Sequence, residues 1–384
     1  MAATPIKVIS ADSHMTEPAD LWTERLDQKF RDRAPRIIRS ENRGTFIFVA
    51  PDIPAFPVAG GFAAGRSGEE LREFMKRANK DEGYKAARPS GWDPGERIKD
   101  QDVDGVQAEI LYTTLGMPLF GLHDADLQRA CFRVYNDWVA DFASYDPRRL
   151  HAIALISLED INEGAKELER AKKIGLKGAM IWGSPPAESP YWHKSYDPFW
   201  QVAEDLQMPL SLHVITGKRP PRSKEEQQKA KTREPSFIRG YMNILHEVQR
   251  SLTDIICGGV LMRFPRLKIV SAENDSGWLP HYMYRLDHAF EKFGAMMEEP
   301  LDMTPGDYVR RNVWATFQDD PVGPMLVQFF GEDNFMWASD FPHTDSTWPH
   351  SQDVIARDFK HVPEAVKRKI VCENAARLYQ IDLN

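Results

Sequence analysis

The chain has 384 residues, 42% of them hydrophobic and 28% charged, which is ample for a sizeable core and ordinary for a globular protein. A net charge of −8 argues against nucleic acid as a partner, because phosphate binding needs a basic face. No apolar run reaches the ~18 residues that a transmembrane helix needs, so no membrane partner is expected.

The opening residues, MAATPIKVIS, show no apolar stretch behind a basic start, so no signal peptide is expected. Cys131, Cys257 and Cys372 are far apart and odd in number, which suits reduced thiols and a cytoplasmic location. The stretch VISADSHMTEP (8–18) reads as a short strand. Residues i and i+2 of a strand share a face, roughly 6–7 Å apart, so Asp12 and His14 point together. One carboxylate and one imidazole on one face is half of a metal site; a capped turn is the plainer reading. Glu17-Pro18 then turns the chain away.

Residues from about 19 to 100 read as an insert. Within it PRIIRS and GTFIFVAP, joined by Glu41-Asn42-Arg43-Gly44, suggest a hairpin. AGGFAAG (59–65) follows no clear strand and reads as a flexible loop. Further strand-like runs lie at 105–114, 149–158, 176–183, 208–214, 267–274, 312–318 and 334–341, which with the first makes eight. Helical runs alternate with them. The run 161–175 puts Ala165, Leu168, Ala171 and Ile174 on one stripe and ends at Gly175. The run 196–207 has Pro198 in its first turn, and 241–265 is long and apolar on one side. YMYRLDHAFEKF (282–293) has an aromatic-rich face for the body or for a partner copy, so a homodimer or larger homo-oligomer is expected.

Strand, helix and strand with near-continuous apolar strands mean a parallel sheet covered on both sides. Eight such units fit a closed (β/α)8 TIM barrel, an α/β fold spanning 1–384 as one domain. An open dinucleotide-binding sheet fits less well, since no Gly-rich turn follows the first strand. The charged segment 216–236 leaves the C-terminal end of the fifth strand, where barrel active sites are built. It reads as a lid-like loop, or as a plain solvated one.

Polar residues in barrel strands are costly unless paired, and here they gather at strand ends. Strand one ends in Asp12 and His14, and strand five in His213. Strand six ends in Glu273, Asn274 and Asp275; strand eight ends in Asp340, with His343 just beyond. Each alone could be a core histidine or a turn residue. Brought to one mouth, they point to a divalent ion bound by the chain. No G-x-S-x-G elbow, C-x-x-C pair or Walker loop offers other chemistry.

SADSHMTEPADLW, GWDPGERIKDQDVDGVQAEILYTT (91–114), LKGAMIWG, MPLSLHV, FPRLKIVSAENDSGWLPHYMYRLD (264–287) and FMWASDFPHTDSTWP (335–349) carry a resemblance. In order and nearly end to end, the chain resembles the amidohydrolase-2 branch of the amidohydrolase superfamily. Aminocarboxymuconate semialdehyde decarboxylase and γ-resorcylate decarboxylase are among that branch. The resemblance implies a single metal bound by Asp12, His14, His213 and Asp340, with Asp340 also handling protons. Members often have a catalytic His in A-H-G-G at strand six. The matching residues here are Ala272-Glu273-Asn274-Asp275, so Glu273 would act as a general base or hold substrate. A carboxylate at Asp12 moves the metal from zinc toward manganese. The implied substrate is a small carboxylated molecule, aromatic or alicyclic, that is hydrolysed or decarboxylated. His343 would assist, and Arg219, Arg222 and Arg239 are candidates for a second substrate carboxylate. A hydratase, a C–C hydrolase and a barrel that binds ligand without turnover are the alternatives.

Overall fold

The computed structural model describes residues 7–41, 44–218 and 237–383, with backbone alone for 237–241 and 244. All eight expected strand regions are strands. The first is β1 (Ile9–His14), and an antiparallel set follows: β2 (Arg36–Ser40), β3 (Thr45–Ala50) and β4 (Ile53–Pro57). Then come β5 (Ala108–Tyr112), β6 (Leu150–Ala152), β7 (Ala154–Leu155), β8 (Ala179–Ile181) and β9 (Leu210–His213). The last are β10 (Ile269–Ala272), β11 (Val313–Phe317) and β12 (Phe335–Trp337). Apart from β2, β3 and β4, every residue in these strands is buried, as parallel strands covered on both faces require.

The parallel strands form two arcs rather than one closed ladder: β1-β5-β6, and β7 to β12 in chain order. The expected third strand is divided between the arcs. Ile153 N donates to Leu111 O on one side (3.2 Å), and Ala154 N to Gly178 O on the other (2.9 Å). At the opposite seam Asp340 N donates to Asp12 O (3.0 Å) and His14 N to Phe341 O (2.6 Å). That seam is further tied by Ser10, Ser13 and Ser339, whose hydroxyls lie 2.8 to 3.1 Å apart.

Helices pack outside the arcs around one continuous apolar core. The helix Ile161–Lys173 starts where Asp160 accepts from Asn162 N and Glu163 N, and buries Leu168 and Ala171. It stops before Gly175, whose φ of +95° only glycine adopts readily. The expected helix 241–265 is two: Phe237–Cys257 and Val260–Arg263. Gly258 and Gly259 divide them, Gly259 having φ +71°. In Leu279–Phe293, Leu279 and Met283 are buried against the body, while Tyr284 and Phe293 are each 63% exposed. No helix among the described residues is long and apolar enough to cross a membrane.

The insert differs from expectation in two ways. The hairpin β2–β3 gains a third strand, β4. Residues 59–65 are not a free loop. Ala59, Phe62 and Ala63 are buried, Gly60 O accepts from Thr344 N, and Ala64 N donates to Pro342 O. A Cβ on Gly61 would come within 2.7 Å of Thr114 Cγ2, so the close approach needs glycine. The segment packs on the loop after β12. Of the expected lid 216–236, only residues 216–218 are described; the rest lies outside the described residues.

Candidate metal centre

Four strand ends deliver the cluster. A register shift in β1 between Ser10 and Ser13 brackets Asp12, and His14 closes the strand. His213 ends β9 and pairs in register with Ala272, the last residue of β10. The next residue, Glu273, has φ +54°, and so does Asp340, three residues past the end of β12. Non-glycine residues in this left-handed region are uncommon and collect at functional sites.

His14 Nε2 lies 3.4 Å from Asp12 Oδ1, 3.4 Å from Asp340 Oδ1 and 3.7 Å from Glu273 Oε2. His213 Nε2 lies 3.7 Å from Asp12 Oδ1 and 3.3 Å from Glu273 Oε2. Among the described residues, Asp12 Oδ1, His14 Nε2, His213 Nε2, Glu273 Oε2 and both Asp340 oxygens are buried without a hydrogen-bond partner. Buried polar atoms are almost always paired, so these neighbouring orphans call for a ligand. With His343 added they fall in two sets that share His14: Asp12 and His213 on one side, Glu273, Asp340 and His343 on the other. The residue types are those that bind divalent cations. The other nitrogen of each imidazole is held by a carbonyl: His14 Nδ1 at 2.7 Å from Thr113 O, His213 Nδ1 at 3.1 Å from Val214 O. A carbonyl can only accept, so each Nδ1 donates and each Nε2 is free to offer its lone pair.

The electrostatics fit the same reading. Burial raises Glu273 and Asp340 well above the usual carboxylate range, reinforced by Asp340's charge on Glu273 and Asp12's on Asp340. Burial would raise Asp12 too, but His14 and His213 outweigh it and hold the carboxyl below its normal range. Burial pushes His14 and His343 down to about 3, which keeps both imidazoles neutral. Burial also works against protonation of His213, yet neighbouring Asp12 draws its pKa upward. A cation among three acids replaces such protons and relieves their mutual repulsion.

His343 stacks on His14 with ring centres 3.9 Å apart, and its Nδ1 is 3.0 Å from Asp340 Oδ1. Its Nε2 is 2.9 Å from Thr114 Oγ1, which itself donates to Met15 O at 2.5 Å. The hydroxyl has one proton, so the hydrogen in the His343 contact comes from Nε2, and Nδ1 presents its lone pair toward Asp340.

Sequence reasoning missed the residues that position the cluster. Thr316 Oγ1 donates to Asp12 Oδ2 (3.0 Å) and accepts from Glu273 N (2.9 Å). Glu17 is fully buried and anchors the loop after β5, accepting from Thr113 Oγ1, Thr114 N and Leu115 N. Arg97 donates to His14 O (2.8 Å) and to both carboxylate oxygens of Glu109. Hydroxyls inside apolar strands and one arginine in a charged helix carry no spacing signal. Of the candidate arginines, Arg219 and Arg222 lie outside the described residues. Arg239 is in the first turn of Phe237–Cys257, with only its backbone described.

The fold and the cluster define an α/β protein with a metal-type donor set at the C-terminal ends of its parallel strands. The family model for amidohydrolases (Amidohydro_2) matches residues 14–381, and the chain belongs to that family. It is 24% identical over 297 residues to a γ-resorcylate decarboxylase of Polaromonas sp., covering 74% of this chain and 87% of that protein. An amidohydrolase from Mycobacterium avium subsp. paratuberculosis K-10 superposes with TM-score 0.77 at 22% identity, over 98% of this chain and all of the other. A dihydroxybenzoic acid decarboxylase from Polaromonas, with bound manganese and the inhibitor 2-nitroresorcinol, superposes with TM-score 0.66 at 20% identity. It is matched over 97% of its length and 98% of this one.

Proposed function

We propose that the protein is a metal-dependent carboxy-lyase acting on a small aromatic carboxylate. The observation that carries this reading is the set of buried, unpartnered donor atoms at the strand ends, in a family whose curated relatives include decarboxylases. In this reading the two arcs make one closed barrel spanning 1–384, as in a (β/α)8 fold. Asp12, His14, His213 and Asp340 hold one divalent ion, manganese or zinc. When bound, that ion supplies Lewis acidity that holds the substrate carboxylate and stabilises developing charge.

Asp340 is the proton carrier. Both its oxygens are enclosed at the cluster, so one can hold the ion while the other carries a proton to the ring carbon of a substrate bound there. The bond to the carboxylate breaks, carbon dioxide leaves, and the electron pair stays on the ring carbon and takes the proton from Asp340. His343 Nδ1, 3.0 Å from Asp340 Oδ1, accepts from the protonated carboxyl and orients it, and water entering as the product leaves returns the proton to Asp340. The plane of His343 is fixed by its stack on His14 and its contact with Thr114.

Hydrolysis is the second reading, favoured by Glu273 next to Asp340. Two carboxylates there offer two acceptors for a water proton. The exposed Tyr284 and Phe293 support a homodimer or larger assembly. The test is carbon dioxide release from a panel of hydroxylated benzoates, with and without chelator. Release that chelation stops supports the carboxy-lyase; no release from any member, with turnover of aryl esters or lactones instead, supports hydrolysis.

A further inference from the structure

We propose that Glu273 is a fifth ligand of the ion rather than a free base or a substrate contact. The inference rests on the reading of the cluster as a metal centre. Its first ground is symmetry. Asp12 Oδ1 lies 3.4 and 3.7 Å from the Nε2 atoms of His14 and His213. Glu273 Oε2 lies 3.7 and 3.3 Å from the same two atoms. The two carboxylates bracket the imidazole pair in matching positions. Donors that share an ion at ~2.0–2.2 Å are ~3.0–3.5 Å from their neighbours, and both carboxylates are close to that spacing.

The second ground is burial. Glu273 Oε2 is enclosed and, among the described residues, has no hydrogen-bond partner. The enclosed oxygen is the one near the imidazole pair, as a ligand requires, while the side chain as a whole keeps 15% exposure. The third ground is the framework. One hydroxyl, Thr316 Oγ1, joins the two bracketing residues, through the carboxylate of Asp12 and the backbone of Glu273. It donates to Asp12 Oδ2, which leaves Asp12 Oδ1 for the ion, and it accepts from Glu273 N. Such supporting contacts fix ligand direction. The donor set then holds two imidazoles and three carboxylates, which moves selectivity toward manganese and away from zinc.

The test is titration of the metal-depleted full-length protein with manganese, read by the loss of the free-ion electron paramagnetic resonance signal. Wild type should bind about one ion per chain. Glu273→Gln should bind about tenfold or more weakly, in the range that lost support of a metal site produces. Glu273→Asp, which keeps the charge but shortens the reach, should fall in the same direction. Glu273→His should raise the zinc-to-manganese affinity ratio. Manganese affinity in both Glu273→Gln and Glu273→Asp within twofold of wild type, even with turnover lost, overturns the proposal and returns Glu273 to a base or substrate role. His213→Ala is the reference: affinity unchanged there as well, or no binding by wild type, overturns the metal centre itself and the proposal with it.

Discussion

Replacing Arg97 by methionine removes a guanidinium that ties the end of β1 to the segment after β12. Arg97 is fully buried, and its Nε and Nη2 lie 2.6 and 3.1 Å from the two oxygens of Glu109. Its Nη1 donates to His14 O at 2.8 Å, and Nη2 reaches Phe341 O at 3.4 Å. In Arg97→Met, Glu109 keeps only the Gln101 amide at 2.7 Å among its described side-chain partners. Breaking a buried pair from one side costs about 3–5 kcal/mol, because the remaining charge stays uncompensated. Unfolding entropy near 60 °C is about 2.1 cal/mol/K per residue, so a chain of 384 residues has about 0.8 kcal/mol/K. The expected fall in Tm is therefore about 4–6 °C by scanning calorimetry. The double variant Arg97→Met with Glu109→Met should recover part of the loss, since no lone charge is left behind. A single variant within about 1 °C of wild type, or a double variant that loses the sum of both singles, refutes the argument.

Asp340→Asn should retain metal and fold but lower kcat by about 10²–10⁴-fold with KM little changed, because Asn offers an oxygen but no proton. Steady-state kinetics on a confirmed substrate decide it; full activity contradicts the assigned role. Asp12→Ala, His14→Ala and His213→Ala should each lower metal content measured by elemental analysis. Acid should also weaken the fold through His151, which burial pushes from 6.5 down to about 4. The folded form keeps that ring neutral while the unfolded chain takes a proton below pH 6.5, so its stability is full above 6.5 and lost as pH falls toward 4. The contribution is at most about 3 kcal/mol, and His151→Phe should flatten the denaturation midpoint between those pH values.

The strand plan was legible because buried parallel strands are written as unbroken apolar runs, and the candidate cluster because polar residues at their C-termini have no core role. Asp12, His14, His213, Glu273, Asp340 and His343 all reach one cluster. Where the reading stopped, the cause is physical. Ile153 gives no sign in sequence that the segment changes hydrogen-bonding partners there. Gly258-Gly259 breaks a stripe whose apolar period continues across it, so periodicity alone reads one helix. Gly61 looks like flexibility but serves close packing on Thr114. Thr316 and Thr114 work by hydroxyl geometry between distant strands, which no local pattern records.

Anomalous diffraction from crystals of the full chain grown with manganese tests the central claim most directly. One peak is expected among Asp12 Oδ1, His14 Nε2, His213 Nε2 and Asp340, with Glu273 Oε2 as the fifth donor, at ~2.0–2.3 Å from each. No peak there at saturating manganese, or a peak held by other residues, contradicts it.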